Sequence, residues 1–213
     1  SMIKDGTTVA IDAFISFCLA DDILSEIETR FIEEGHPHSL SVVNVAGIGG
    51  DGKNRGINHF AHKGLMKRFL CRNLSLANKI YPLITENAFP CFMIPQGVLS
   101  HMMRAIASGK PGIITEVGMK TFVDPRIDGG CINDAAKACS DIPVQLISLN
   151  GSECLFYPAF PIDIAIIKGT KADNKGNISL EKEAMHLEQL EMATAARHPG
   201  GIVMVQVDEI VES

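Results

Sequence analysis

Short runs of β-branched and aliphatic residues alternate with segments of helical periodicity along the chain, and this alternation constrains the fold more than any other feature. Strand-like runs occupy residues 7–11, 41–45, 92–94, 162–167 and 202–207. Strands that alternate with helices in this way favour a parallel sheet covered by helices. We therefore predict an α/β fold with an open, mainly parallel sheet flanked by helices.

The intervening segments predict several helices. Asp21 and Asp22 offer an N-cap and an acidic first turn for a helix that continues to about Glu34. A second helix is predicted over residues 59–69. Another begins after Pro95, whose fixed φ suits a first helical turn. The last is predicted over residues 181–197.

The composition is that of an acidic, folded chain. Its 213 residues suit one domain, and a hydrophobic share of 46% is sufficient for a core. Lys and Arg number 19 against 25 Asp and Glu, which excludes a basic surface for nucleic acid. No apolar run reaches the ~18–20 residues of a membrane span. We expect a single domain over residues 3–213, with Ser1 and Met2 as a tag remnant and the start methionine.

The cysteines point to a reducing compartment. None of the six forms a Cys-x-x-Cys pair, and most lie beside apolar residues: Cys18, Cys71, Cys91, Cys131, Cys139 and Cys154. This pattern is typical of buried free thiols and lacks the close ligand spacing of a zinc site. We therefore expect a cytoplasmic protein with no bound metal.

A glycine-rich turn, Gly47-x-Gly49-Gly50-Asp51-Gly52, follows the second strand. A dinucleotide-binding fingerprint requires a helix to start at once after the glycines, whereas here Lys53 and the next residues intervene. Phosphate binding, an active-site or interface loop, and a plain turn all remain open.

Two histidine pairs have the spacing of metal ligands. His59 and His62 lie about one helical turn apart, and His36 and His38 flank a proline. No third ligand follows at short spacing. We predict a solvated or packing pair for the first and an exposed loop for the second. A Gly-x-Ser-x-Gly nucleophile elbow is absent from the sequence, which disfavours a serine hydrolase.

The segments around Gln96 and Phe122 carry more information. Gln96 and Gly97 open a predicted helix, so a neutral donor and acceptor stands beside free backbone N–H groups and could orient a carboxylate or a thioester carbonyl. A polar first turn without a ligand is the alternative. Residues 117–133 predict a loop, in which either a buried Phe122 would impose order or an Asp124–Arg126 contact would hold a tight turn.

In this order and spacing, these segments resemble the family I CoA-transferases, particularly the acetate/propionate and short-chain acyl-CoA:acetate type. The resemblance extends over nearly the whole chain. The matching text is Gly50-Asp51-Gly52, Arg55-Gly56, His62-Lys63-Gly64-Leu65, Pro95-Gln96-Gly97-Val98-Leu99, Arg104-Ala105, Lys110-Pro111-Gly112-Ile113-Ile114-Thr115, Val117-Gly118, Thr121-Phe122-Val123-Asp124-Pro125-Arg126, Gly129-Gly130, Pro161-Ile162-Asp163-Ile164-Ala165 and Gly200-Gly201-Ile202-Val203 to Gln206-Val207.

The resemblance implies two similar α/β domains, α and β, with the active site between them. It implies transfer of CoA from an acyl-CoA to a carboxylate by a ping-pong route through a glutamyl-CoA thioester. CoA is then a substrate, and there is no permanent cofactor. The chain matches the α-type half, so the resemblance implies a β-type domain or subunit as partner, together with homo-oligomers. The nucleophilic Glu would belong to the β-type half, and none of the catalytic residues to this chain.

Site roles follow from the resemblance position by position. Gln96 would be the main α-side contact to the bound carboxylate or acyl group, Gly97 and Gly118 would keep the backbone close to it, and Phe122 would shape the acyl end. Glu116-Val117-Gly118 is similar to the nucleophile's own Glu-x-Gly context, but its neighbours align it with the α half.

One departure concerns residues 12–17, Asp-Ala-Phe-Ile-Ser-Phe, where relatives often have glycines; it puts any inherited acyl preference in doubt. The expected function is thus the α-type half of a short-chain CoA-transferase. The alternatives are a non-catalytic small-molecule or partner-binding module on the same fold, and a relative of the acyl-CoA hydrolase or citrate-lyase type.

Overall fold

The computed structural model describes residues 2–49 and 54–212, and within them a six-stranded parallel sheet forms the centre of the molecule. The strands of the chain are Thr8–Ile11 (β1), Leu40–Asn44 (β2), Met66–Cys71 (β3), Cys91–Met93 (β4), Gly112–Thr115 (β5), Gln145–Leu149 (β6), Ser152–Pro158 (β7), Ile164–Lys168 (β8), Lys171–Asp173 (β9), Ile178–Ser179 (β10), Ile202–Gln206 (β11) and Glu209–Val211 (β12). The helices are Asp21–Glu34 (α1), Tyr81–Thr85 (α2), Gln96–Ala107 (α3), Asp134–Lys137 (α4) and Gln189–Arg197 (α5), with a 3₁₀ helix at Gly56–Phe60.

The central sheet has the order β11-β8-β1-β2-β3-β4, with every neighbouring pair parallel. Successive residues of a strand point to opposite faces. In β1, Val9 and Ile11 accordingly belong to the buried cluster that includes residues of α1 and α2, whereas Ala10 belongs to the one that includes residues of α3 and α5. Both faces of the sheet are therefore covered, and the prediction of an open parallel sheet flanked by helices is confirmed.

Two smaller sheets accompany the central one. Strands β5, β7 and β6 form an antiparallel sheet, and β10, β9 and β12 form a short mixed one. The β6–β7 hairpin turns at Asn150 and Gly151, both at positive φ, which is the conformation that an Asn-Gly dipeptide favours. The sequence analysis predicted neither β12 nor a separate antiparallel sheet.

Two predicted helices were wrong in extent. Residues 59–69 were predicted as one helix, but they contain the end of the 3₁₀ helix and most of β3, which pairs with β2 and β4. The helix predicted from Glu181 begins only at Gln189. Before it, the chain is held in an irregular path, in part because the Lys182 N–H donates to Thr170 Oγ1.

Helix α1 has the predicted extent, but the acidic residues at its start do not cap it. Ala20 is the N-cap, and Asp21 is already helical. The Asp21 carboxylate accepts hydrogen bonds from the Gly56 N–H and from Arg55 Nε instead of capping its own helix. Across the described ranges, none of the helices is long and apolar enough to cross a membrane.

Candidate functional site

The carboxyl edge of the central sheet, where its six strands end, is the region in which ligands bind in open α/β sheets. The chain passes from β1 outward to β4 on one side and returns to β8 and β11 on the other, so the strand order reverses around β1. Residues that follow these strands are therefore the first to consider as functional.

Gln96 stands at this edge, three residues after β4. Pro95 is the N-cap of α3, with φ −54° and ψ 134°, so the helix begins at Gln96 as predicted. Gln96 is half-buried, and Gly97 is exposed with open space where a Cβ would lie. Within the described residues, neither the Gln96 side chain nor the backbone N–H groups of Gln96 and Gly97 have a hydrogen-bond partner. Helix α3 thus presents free donors at a helix N-terminus.

The loop that contains Phe122 is attached to the end of β4. The Met93 N–H donates to Gly130 O at 2.9 Å, and the Gly130 N–H donates to Phe122 O at 3.0 Å. Two backbone hydrogen bonds therefore link Phe122 to the strand that leads directly into Gln96. The fold thus brings the two predicted segments to one region of the molecule.

Phe122 itself is 43% exposed, so the prediction of a buried aromatic is wrong. Order in the loop comes from Asp124, whose side chain is only 1% exposed. Its carboxylate accepts hydrogen bonds from Arg126 Nε and Nη2 and from the backbone of Lys120 and Arg126. These contacts, that of the Arg126 side chain first, hold the pKa of Asp124 well below its usual range. The predicted Asp124–Arg126 contact is confirmed.

Gly118 has a structural role that the sequence did not reveal. It adopts φ +103°, and a Cβ there would lie 2.4 Å from Tyr157 Oη. That hydroxyl donates to Val117 O at 2.7 Å, while burial raises the pKa of Tyr157 to about 12. Gly118 therefore allows the loop to dock on β7. The adjacent Glu116 is exposed in the turn that follows β5.

The sequence analysis overlooked two polar residues at the carboxyl edge. Asn44, at the end of β2, donates to Ile11 O and accepts from the Gly47 N–H, so it joins β1 to the glycine-rich turn. Asp12, directly after β1, is 1% exposed, and neither of its carboxylate oxygens accepts a hydrogen bond within the described part of the chain. Burial, reinforced by nearby Glu188 and Glu191, raises the pKa of Asp12 to about 7. In the sequence, each of these two polar residues lies in or directly after an apolar run, and this was the signal that could have identified them.

The first half of the glycine-rich turn is packed tightly. A Cβ on Gly49 would lie 2.1 Å from Leu76 O, which explains the need for glycine there without a phosphate. Ile15, at φ 58°, donates its N–H to Gly47 O and holds residues 14–17 against this turn. The predictions for Gly50, Asp51, Gly52 and Lys53 fall outside the described residues.

The His59 and His62 pair supports the packing interpretation. Glu28 of α1 stands between them, 2.6 Å from His59 Nδ1 and 2.7 Å from His62 Nε2. Burial raises the pKa of Glu28, but the two histidines and Asn54 outweigh it, and the net shift is downward. The pair therefore anchors residues 54–62 to α1.

The chain is similar to known proteins in sequence and in structure. A profile of the family described as Coenzyme A transferase matches residues 1–213. A caffeate CoA-transferase of Acetobacterium woodii is 37% identical over 207 residues, which are 97% of this chain and 39% of that protein. The crystal structure of an acyl-CoA transferase of Escherichia coli O157:H7 (YdiF), as a thioester complex with CoA, superposes with a TM-score of 0.91 at 33% identity, covering 99% of this chain and 41% of that one.

A shorter relative is covered over most of its own length. The alpha subunit of an acetoacetyl-CoA:acetate/butyrate CoA transferase of Clostridium acetobutylicum is 23% identical over 213 residues, which are 99% of this chain and 83% of that subunit. The chain thus spans about two fifths of the longer relatives' length and most of the separate alpha subunit's.

Proposed function

The chain belongs to the coenzyme A transferase family. From this premise we propose that residues 3–213 form one α-type domain, which supplies half of an active site. The complete site moves CoA from a short-chain acyl-CoA to a carboxylate such as acetate. Its partner is a β-type domain or subunit, and the assembled enzyme is a homo-oligomer. We place it in the reducing cytoplasm, because all six cysteines are free and four of them are buried.

The proposal rests on how much of each relative this chain covers. The chain aligns with nearly all of a separate alpha subunit but with only about two fifths of longer transferases. In this proposal the remainder of those longer proteins corresponds to the β-type half.

An apolar surface next to Phe122 offers a place for that domain. Ile114, Val117, Phe122 and Ile127 are all exposed, on β5 and on the loop that follows it. Neighbouring exposed apolar side chains of this size are typical of interaction sites. We assign this surface to the contact with the β-type half, so that Gln96 and Phe122 lie at the border between the two halves.

The reaction follows the route that the family resemblance implies. A carboxylate of the β-type half attacks the thioester carbonyl, the CoA thiolate leaves, and an acyl-glutamyl anhydride forms. The thiolate then attacks the glutamyl carbonyl, which releases the carboxylate product and leaves a glutamyl-CoA thioester. The acceptor carboxylate reverses both steps. Each attack places negative charge on a carbonyl oxygen, which preorganised N–H donors stabilise.

This chain supplies donors and shape to that reaction. The Gln96 amide and the free N–H groups of Gln96 and Gly97 can donate to the acyl or carboxylate oxygen without neutralising it. Phe122 provides an apolar wall for the acyl end, and Gly97 leaves the backbone open to close approach. Gly118 positions the loop that carries Phe122. Glu116 has no covalent role in this scheme.

Gln96→Ala tests the proposal in the enzyme assembled with its β-type half. We expect kcat/KM for CoA exchange between acetyl-CoA and propionate to fall by about 10- to 1,000-fold, because a transition-state donor is lost. His101→Ala is the matched control, since His101 is exposed on the same helix and lies about 140° around it from Gln96.

The control should retain nearly full activity. Unchanged kinetics in Gln96→Ala would assign Gln96 to structure alone. Faster thioester hydrolysis than transfer to added acetate would favour a hydrolase.

A further inference from the structure

Asp5, His36 and His38 form a cluster on the edge of the molecule opposite Gln96. Asp5 lies shortly before β1 and the histidines shortly before β2, so the cluster is at the amino ends of both strands. His36 Nδ1 is 2.9 Å from Asp5 Oδ2, and His38 Nε2 is 3.2 Å from the same oxygen. Two imidazole nitrogens and one carboxylate oxygen thus converge, with all three atoms within 4.8 Å of one another.

These spacings are close to those of a tetrahedral metal site. Zinc–nitrogen and zinc–oxygen bonds of about 2.0–2.1 Å place neighbouring ligands about 3.4 Å apart in a tetrahedron. The two nitrogen–oxygen distances in the cluster are shorter than this by only a few tenths of an ångström. The three ligand atoms lie within 4.8 Å of one another, so the two rings would have to rotate for all three atoms to face one ion.

The backbone and a neighbouring hydroxyl hold the cluster in place. The Gly6 N–H donates to His38 O at 2.9 Å, and the His38 N–H donates to Asp5 Oδ1 at 2.9 Å. Ser39 Oγ lies 3.1 Å from His38 Nδ1, which leaves Nε2 of that ring directed at Asp5. A hydrogen bond to the second ring nitrogen is the arrangement that orients metal-binding histidines. Oδ1 accepts the backbone hydrogen bond and also lies 3.0 Å from His36 Nδ1, while Oδ2 faces both rings.

We propose that Asp5, His36 and His38 bind a divalent transition-metal ion, Zn²⁺ in the first place, with water completing the coordination. Imidazole and carboxylate together suit zinc better than Mg²⁺ or Ca²⁺, which prefer oxygen ligands. The side chains are 36–56% exposed, so an ion can enter directly from solvent. The ion would fasten the segment before β1 to the segment before β2, far from the transferase chemistry.

Calorimetric titration of ZnCl₂ into the metal-free chain, without any added histidine tag, tests this site. We expect one bound ion, with at least about tenfold weaker binding in Asp5→Asn and in His36→Ala. His62→Ala is the matched control, because His62 belongs to the other histidine pair and contacts Glu28 instead. Its affinity should equal that of the unmodified chain.

A second measurement guards against misfolded variants. Zn²⁺ should raise the Tm of the unmodified chain and of His62→Ala, because it binds the folded state, and raise the Tm of His36→Ala less at the same Zn²⁺ concentration. The proposal is overturned if the unmodified chain binds no Zn²⁺, or if Asp5→Asn and His36→Ala bind it as tightly as the unmodified chain. Loss of binding in His62→Ala alone would place the ion at the Glu28 pair and would equally overturn it.

Discussion

Asp12 is a carboxylic acid buried directly after β1, beside Glu188 and without a hydrogen-bond acceptor role in the described residues. Its folded-state pKa of about 7 lies above the value of about 3.9 in an unfolded chain. Between these values the folded protein holds a proton that the unfolded chain releases. The stability that Asp12 contributes is therefore fully present below about pH 4 and is lost as the pH rises through about 7.

Asp12→Asn should remove this dependence. We expect the difference in free energy of unfolding, variant minus unmodified chain, to rise by on the order of 3 kcal/mol between pH 5 and pH 8.5. Urea unfolding of both proteins at the two pH values measures the difference. An identical difference at both values would show that Asp12 is ionised throughout. Comparing the two proteins at each pH cancels the titration of the histidines.

The roles of Asp12 and Asn44 could not be predicted from the residue types at those positions. Gln96 could be placed from the sequence, because Pro95 before it fixes the start of a helix after a strand. Asp12 and Asn44 depend on neighbours 176 and 33 positions away, Glu188 and Ile11. Their burial and pKa arise only when the strands are assembled, so the sequence could not predict them.

At the scale of elements, the loop between β5 and α4 is fixed by its contact with β7. Gly118→Ala should lower the Tm by several degrees, because its Cβ would overlap Tyr157 Oη and its φ is unfavourable for alanine. Gly97→Ala is the matched control. It has helical φ and free space, so the same substitution should leave stability unchanged or raise it slightly. Thermal unfolding of both variants measures this, and equal losses would contradict the role assigned to the Tyr157 contact.

The periodicity of the sequence predicted elements well where one face alone is buried. Helix α1 buries Leu24 and Ile27, and its pattern favours a helix because most of its acidic residues are exposed: Asp22, Glu26, Glu33 and Glu34. Strand β3 is covered on both faces, and its Met66, Phe69 and Leu70 have a spacing that a helix would also show. A buried strand and a helix segment cannot be separated by such a pattern alone, and residues 59–69 were predicted incorrectly for this reason.

At the scale of the whole molecule, the parallel sheet brings the functional segments to one side. Asp12 follows β1, Asn44 ends β2 and Gln96 follows β4, and all three lie at the carboxyl edge. The sequence predicted this fold class, and the resemblance to CoA-transferases covered nearly the whole chain. The apolar surface at Ile114, Val117, Phe122 and Ile127 could not be predicted, because the exposure of these residues depends on how the antiparallel sheet packs.

We propose that this chain supplies half of a transferase site and that the nucleophilic Glu lies in the β-type half. The rate of CoA exchange between acetyl-CoA and propionate tests it most directly, measured for the purified chain alone and for the chain combined with a β-type half. We expect no turnover by the chain alone and turnover when both halves are present. Robust turnover by the chain alone would contradict it, since a nucleophile would then have to lie within these 213 residues.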